Sequence, residues 1–243
     1  MKRTVSFLLA LSIVAGAGQT TAWAETPDKQ AQQEREVNYA ALLETEDVEY
    51  FLQKAEEFST NDPSATLEQI NDFLKKEMKV YYSKKLESNT IDYPVPTQAG
   101  ELNPQEQALY NSNPYYGLQS LSCGQMALSE SKARYTNESL VGGNGDAFRH
   151  AYWSAAMVLS TSLSWAEQWG TAHEEGAPTN DSLNKSMDLT NNYRGRQIGS
   201  SYSVPLHYVN QSVIADVINW VDSGKMVRIV GTQLVSSDPT GKL

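Results

Sequence analysis

The sequence predicts an all-α protein: a compact multi-helix domain preceded by an amphipathic helical N-terminal region. Three observations carry that expectation. Apolar residues recur at helical spacing in the N-terminal region and again near the C-terminus. The runs open and close on capping residues, prolines and glycines. Glycine also divides the chain, with none between Glu25 and Ala99 and 13 of the 15 from Gly100 onward.

Residues 1–24 are expected to be a leader and not part of the fold. Lys2 and Arg3 precede an apolar run from Val5 to Ala17, and Ala22-Trp23-Ala24 offers an A-x-A cleavage site before Glu25. The pattern is that of a secretory signal peptide of bacterial type. Its apolar run is short for a membrane span, and no later run approaches the ~20 residues a span needs. The expected location is secreted or extracytoplasmic, at the cell envelope, with no transmembrane segment after cleavage. Cleavage leaves 219 residues and takes the net charge from −10 to −12, since Lys2 and Arg3 go with the leader. That acidity argues against a nucleic-acid groove or a polybasic membrane patch. It names no other partner. Cys123 is the single cysteine, so no intrachain disulfide forms. Without a histidine or helix start close by in sequence, it reads as a buried, inert thiol.

Residues 25–90 form the N-terminal helical region. Val48, Leu52, Ala55 and Phe58 make one apolar stripe, and Leu67, Ile70, Leu74, Met78 and Tyr81 make another. Asn61-Asp62-Pro63-Ser64 stops one helix and restarts the next. The expectation is a solvated helical prodomain or spacer. Residues 91–100, with Pro94 and Pro96, read as a linker.

Residues 101–235 are the expected C-terminal domain. Asn103-Pro104 and Asn113-Pro114 each place an N-cap residue before a proline at the first helical position. The first should start a short helix, the second a longer one to about Tyr135. Asn137-Glu138-Ser139 is read as loop, and Gly142-Gly143-Asn144-Gly145 as a turn. Helices are expected from Asp146 to about Ser160, from Ser164 to about Glu175, from Asn180 or Asp181 to about Ile198, and after Pro205 until Gly224. Ser164 with Glu167 has capping-box spacing. Met226–Leu234 is ambiguous between strand, from its β-branched content, and a short terminal helix. The tail 236–243 is expected to be loose.

The candidate site lies between Gly142 and Ile198. Asp146 and His150 stand four apart on one helix; Trp165, Trp169 and His173 repeat at four on the next; Asp188 and Asn192 are four apart on the third, with Asn191 between and Gly195 one turn on. Ala147, Ala151 and Ala155 are small enough to let a neighbouring helix approach. Three readings fit this pattern. Asp146, His150, His173, Glu174 and Asp188 can supply a mixed nitrogen and oxygen shell for a divalent metal, with Asn191 and Asn192 ligating or orienting a histidine. Alternatively a catalytic group of His150, His173 and Asp188 acts on water, with His150 as general base oriented by Asp188 or Glu174, and Arg149, Arg194 or Arg196 holding an anionic group. The third reading is a structural His–Asp–Asn hydrogen-bond network that locks helix register. His207 is expected to be a solvated loop histidine, and Trp153, Trp165 and Trp169 to be core.

The motifs GDAFRHAYW at 145–153, AHE at 172–174 and MDLTNN at 187–192 followed by Gly195-Arg196, with the lead-in LNPQEQALYNSNPYYGL at 102–118, resemble a poorly characterised bacterial all-α domain family. That family occurs in secreted, wall-associated and polymorphic-toxin-like proteins. The resemblance spans about residues 101–200. It implies a helical domain with a shared polar site at Asp146, Arg149, His150, His173, Glu174, Asp188, Asn191, Asn192 and Gly195. By analogy with toxin-type architectures it implies a hydrolase, metal-dependent in one version, acting on a cell-envelope or phosphate-ester substrate. The alternative is a non-enzymatic envelope or interaction protein whose polar cluster is structural.

Overall fold

The computed structural model describes residues 43–87, 102–176 and 182–243. The expected signal peptide (1–24), linker (91–100) and Asn180 or Asp181 cap lie outside them. Among the described residues the fold is all-α, with eight α-helices and one small hairpin: α1 Thr45–Asn61, α2 Leu67–Glu87, α3 Pro104–Ser112, α4 Pro114–Arg134, α5 Asn144–Ser160, α6 Leu163–Gly176, α7 Ser182–Gly199, α8 Leu206–Asp222, β1 Val227–Val230 and β2 Gln233–Ser236. No helix among the described residues is long and apolar enough to cross a membrane.

Local chemistry starts several helices as expected. Asn103 accepts from the Gln105 and Glu106 amides while the Glu106 side chain accepts from the Asn103 amide, a closed capping box with Pro104 beside it. Asn113 accepts from the Tyr116 amide at the start of α4. For α6 the cap is Ser162, whose Oγ accepts from the Trp165 amide, and not Ser164. Gly224 ends α8 at φ +77.

The N-terminal helices are not a solvated spacer. Phe51, Ala55, Leu74 and Met78 are fully buried and belong to the same hydrophobic cluster as Leu118, Ala151 and Trp169. The α1 stripe runs through Val48, Phe51 and Ala55, with Leu52 half-buried at its margin. Asn71 Oδ1 accepts from the Tyr115 amide, and Tyr110 Oη meets Met78 Sδ at 3.7 Å, tying α2 to α3 and α4. Two amphipathic helices expose too much apolar surface to stand alone, and each buried large side chain contributes roughly 1.5–3 kcal/mol.

Helices α4, α5 and α6 meet at Ser120. Its backbone oxygen accepts from Trp153 Nε1 and its hydroxyl from Trp165 Nε1, both at 2.9 Å. The indoles thus belong to the core, with their polar edges satisfied. Helices α5 and α7 cross at small residues. A Cβ on Gly195 would fall 2.1 Å from the Ala151 carbonyl oxygen, and one on Gly199 2.6 Å from that of Ala155.

Met226–Leu234 takes the strand alternative. β1 and β2 pair antiparallel from Val227↔Ser236 to Val230↔Gln233, turning at Gly231 with φ +61. The tail is pinned and not loose. Asn144 Nδ2 donates to Asp238 Oδ1 and to the Thr240 carbonyl, and the Asp238 amide returns to Asn144 Oδ1. The Thr136 amide donates to the Gly241 carbonyl, and the Leu243 amide to that of Arg134. The tail is held because its polar groups meet the exposed backbone between α4 and α5.

Candidate metal-binding site

The first two turns of α5 carry Asp146, Arg149 and His150. Gly142 N–H donates to Asp146 Oδ2 at 2.7 Å, so this carboxylate reaches back over the helix start and fixes its other oxygen, Oδ1, toward the protein interior. His150 lies one turn on, with Nε2 3.5 Å from Asp146 Oδ1. From α7, Asp188 Oδ1 comes within 3.3 Å of the same Nε2. Asp146, His150 and Asp188 offer one ligand atom each, all within 4.8 Å of one another, and all three residues are buried. The close crossing at Gly195 permits this, since Asp188 sits on α7 two turns before that contact.

The electrostatics keep His150 neutral. Burial, then the positive charges of Arg149 and His173, hold its pKa well below the ordinary histidine value, outweighing a hydrogen bond to Asn192. Arg149 Nη2 lies 2.8 Å from Nε2 and also pairs with Asp146 Oδ1. A guanidinium only donates, so Nε2 is the accepting nitrogen and the ring proton belongs on Nδ1. Nδ1 faces Glu174 Oε1 at 3.4 Å. One imidazole nitrogen is backed by a carboxylate, while the other accepts from Arg149 beside two carboxylates; with the guanidinium displaced, this donor set could hold a metal ion. Three acceptor atoms this close repel each other unless positive charge sits among them.

The remaining candidates take other places. Glu174, on α6, stands behind His150 and not inside the ligand group. Asn192 Nδ2 donates to its Oε1 at 3.3 Å, while Asn192 Oδ1 accepts from Ser154 Oγ. Burial raises the Glu174 pKa, partly offset by His173, Asn192 and Arg149. His173 turns away to α3: its Nδ1 meets Glu106 Oε1 at 2.8 Å, and its ring stands edge-on to Trp153. Burial depresses its pKa, but the hydrogen bond and charge of Glu106, aided by Glu174, outweigh that and raise it. Asn191 orients no histidine; it clamps the hairpin, donating to the Val227 carbonyl and accepting from the Val227 amide. Arg196 approaches Glu167 on α6 at 3.8 Å and lies over Tyr193. Arg194 is half-buried on α7, about 240° around the helix from Asp188, on a different face from the ligand group.

Sequence reasoning passed over Glu106, Gly142 and Ser154. The Asn103-Pro104 signal marks a helix start just before Glu106, but nothing local tells that His173, far along the chain, is the partner of Glu106. A cleft of about 440 Å³ lies nearby, lined by Gly142, Asn144, Asn184, Arg228, Ile229 and Gly241 among others. None of the three ligand residues lines it.

One comparison reaches this region. The family model described as a domain of unknown function, DUF6973, matches residues 107–225. The match covers α5, α6 and α7 whole, and so spans Asp146, His150 and Asp188. No curated protein matches the chain, and no solved structure does.

Proposed function

We propose that this chain is an exported protein that binds a divalent cation through Asp146, His150 and Asp188 and uses it to hydrolyse a phosphate-ester substrate of the cell envelope. The observation that carries the reading is the convergence of three buried donor atoms, from two helices, within 4.8 Å. One imidazole and two carboxylates make a mixed donor set suited to zinc or manganese, and three protein ligands leave a coordination position for water or substrate. A cation held there would supply Lewis acidity and a more acidic water. The leader-like residues 1–24 and the resemblance to wall-associated and toxin-like domains support the envelope setting.

The test is elemental analysis of the purified protein before and after reloading with zinc or manganese, followed by hydrolysis of bis(p-nitrophenyl) phosphate. About one equivalent of metal, lost in His150→Ala and in Asp188→Asn together with hydrolysis, is the expected result. Absence of uptake after reloading overturns it. The second reading, a purely structural network, draws on Arg149 pairing with Asp146 and on Asn192 spanning Ser154 and Glu174. It predicts no metal and a large loss of melting temperature in His150→Ala.

A further inference from the structure

The geometry points to Arg149 as a built-in competitor for the cation: its guanidinium occupies the position between Asp146 Oδ1 and His150 Nε2 that a divalent ion would take. This inference rests on the metal reading above and specifies how the site is regulated. Arg149 Nη2 is in contact with two of the three ligand-type residues, pairing with Asp146 Oδ1 and lying 2.8 Å from His150 Nε2. It therefore supplies the positive charge that the acceptor trio needs. A metal and a guanidinium nitrogen cannot share those two atoms at bonding distance, so one must leave for the other to enter.

Arg149 is also the member able to leave. Its side chain is 29% exposed, against 2% for His150 and 7% for Asp146. Asp146 is held by the Gly142 amide, and His150 is enclosed by Glu174 and Trp153. The long arginine stem can swing to solvent while the ligands stay fixed. Cation entry and Arg149 departure are then one event. The intrinsic affinity of the trio is reduced by the fraction of molecules in which Arg149 occupies it.

The experiment is calorimetric titration of the full chain with Mn²⁺ and with Zn²⁺ at fixed pH, comparing wild type, Arg149→Gln, Arg149→Met and the double variant Arg149→Gln with His150→Ala. The expected result is binding at least tenfold tighter in both single arginine variants, abolished in the double variant. Equal or weaker affinity in folded Arg149 variants overturns the competition while leaving the metal reading standing. No binding by wild type or by either single arginine variant overturns both. If the variants do not fold, the wild type still decides by NMR. Zn²⁺ should move the Arg149 guanidinium protons to fast, solvent-like exchange; binding that leaves them protected overturns the inference.

Discussion

Gly195 lies directly against Ala151, so close that a Cβ on Gly195 would fall 2.1 Å from the Ala151 carbonyl oxygen and 2.7 Å from its Cα. The obstructing atoms are backbone, which does not rotate aside as a flexible side chain would. Gly195→Ala must therefore push α7 away from α5. The expected cost is about 3 kcal/mol, the upper range for overpacking. In a chain of this size that lowers the melting temperature by on the order of 10 °C. The same displacement carries Asp188 away from His150, so the divalent-cation affinity proposed for that group should fall too. Differential scanning calorimetry that finds an unchanged melting temperature would remove the close crossing from the account.

Asn191 and Val227 exchange two hydrogen bonds, at 2.9 and 3.0 Å, and the Ile229 amide donates to the Gly142 carbonyl. The hairpin is thus fastened to α7 and to the loop that positions Asp146. Asn191→Ala breaks the first fastening and leaves two backbone groups without those partners, a loss of about 2 kcal/mol. Hydrogen exchange at the amides of Val227 and Ile229 should accelerate, while amides in the middle of α5 keep their protection. Acceleration spread evenly over α5 and the hairpin would mean that Asn191 supports the whole domain and not the hairpin alone.

Much of this arrangement was legible locally. Four-residue spacing placed Asp146 beside His150, and the alanines at 147, 151 and 155 with Gly195 announced a close helix pair. Both follow from helix geometry alone. Less legible was whatever depends on partners distant in sequence. His173 belonged with the other candidate ligands by composition, yet Glu106, 67 residues upstream, takes it. Glu174 adjoins it but points along a different direction of α6, and so reaches His150. The α1 stripe shifted by one residue, from Leu52 to Phe51, because the helix's rotation is fixed by what covers it. The tail reads as loose because chain ends commonly are; its Ser, Asp and Thr residues suit solvent but serve equally well against unpaired backbone. No residue-type pattern distinguishes those two uses.

Cys123 is fully enclosed, beside Ser160 on α5, and burial pushes its thiol up to about 12. At pH 8 the folded protein then holds almost no thiolate, whereas an unfolded cysteine, with a pKa of about 8.5, is partly ionised. Reaction with Ellman's reagent should be on the order of a thousandfold slower in the native protein than in denaturant. Rapid native labelling would place Cys123 at an accessible surface, which the packing of α4 on α5 excludes.

Asp47, 2% exposed, accepts hydrogen bonds from both Tyr81 and Tyr82, at 2.7 and 2.9 Å, and so joins α1 to α2. The Asp47 hydrogen bond, then burial, pushes Tyr81 up to about 12. Tyr152 and Tyr202 are also raised to about 12, each chiefly by burial. Tyr82 is raised as well, by burial and then by the Asp47 charge. The folded state thus holds tyrosine protons that the unfolded state releases near pH ~10. With more protons bound in the native state, stability falls as pH rises. The contribution is fully present below pH ~10 and is lost progressively as pH climbs through about 12. Absorbance at 295 nm should therefore show a group of tyrosines, Tyr81, Tyr82, Tyr152 and Tyr202 among them, ionising above the ordinary midpoint and together with the loss of far-ultraviolet circular dichroism. Asp47→Asn removes the negative charge facing both phenols, so the Tyr81 midpoint should move down toward the ordinary value. A native-like dichroism signal retained while every tyrosine titrates near pH ~10 would contradict the buried α1–α2 contact.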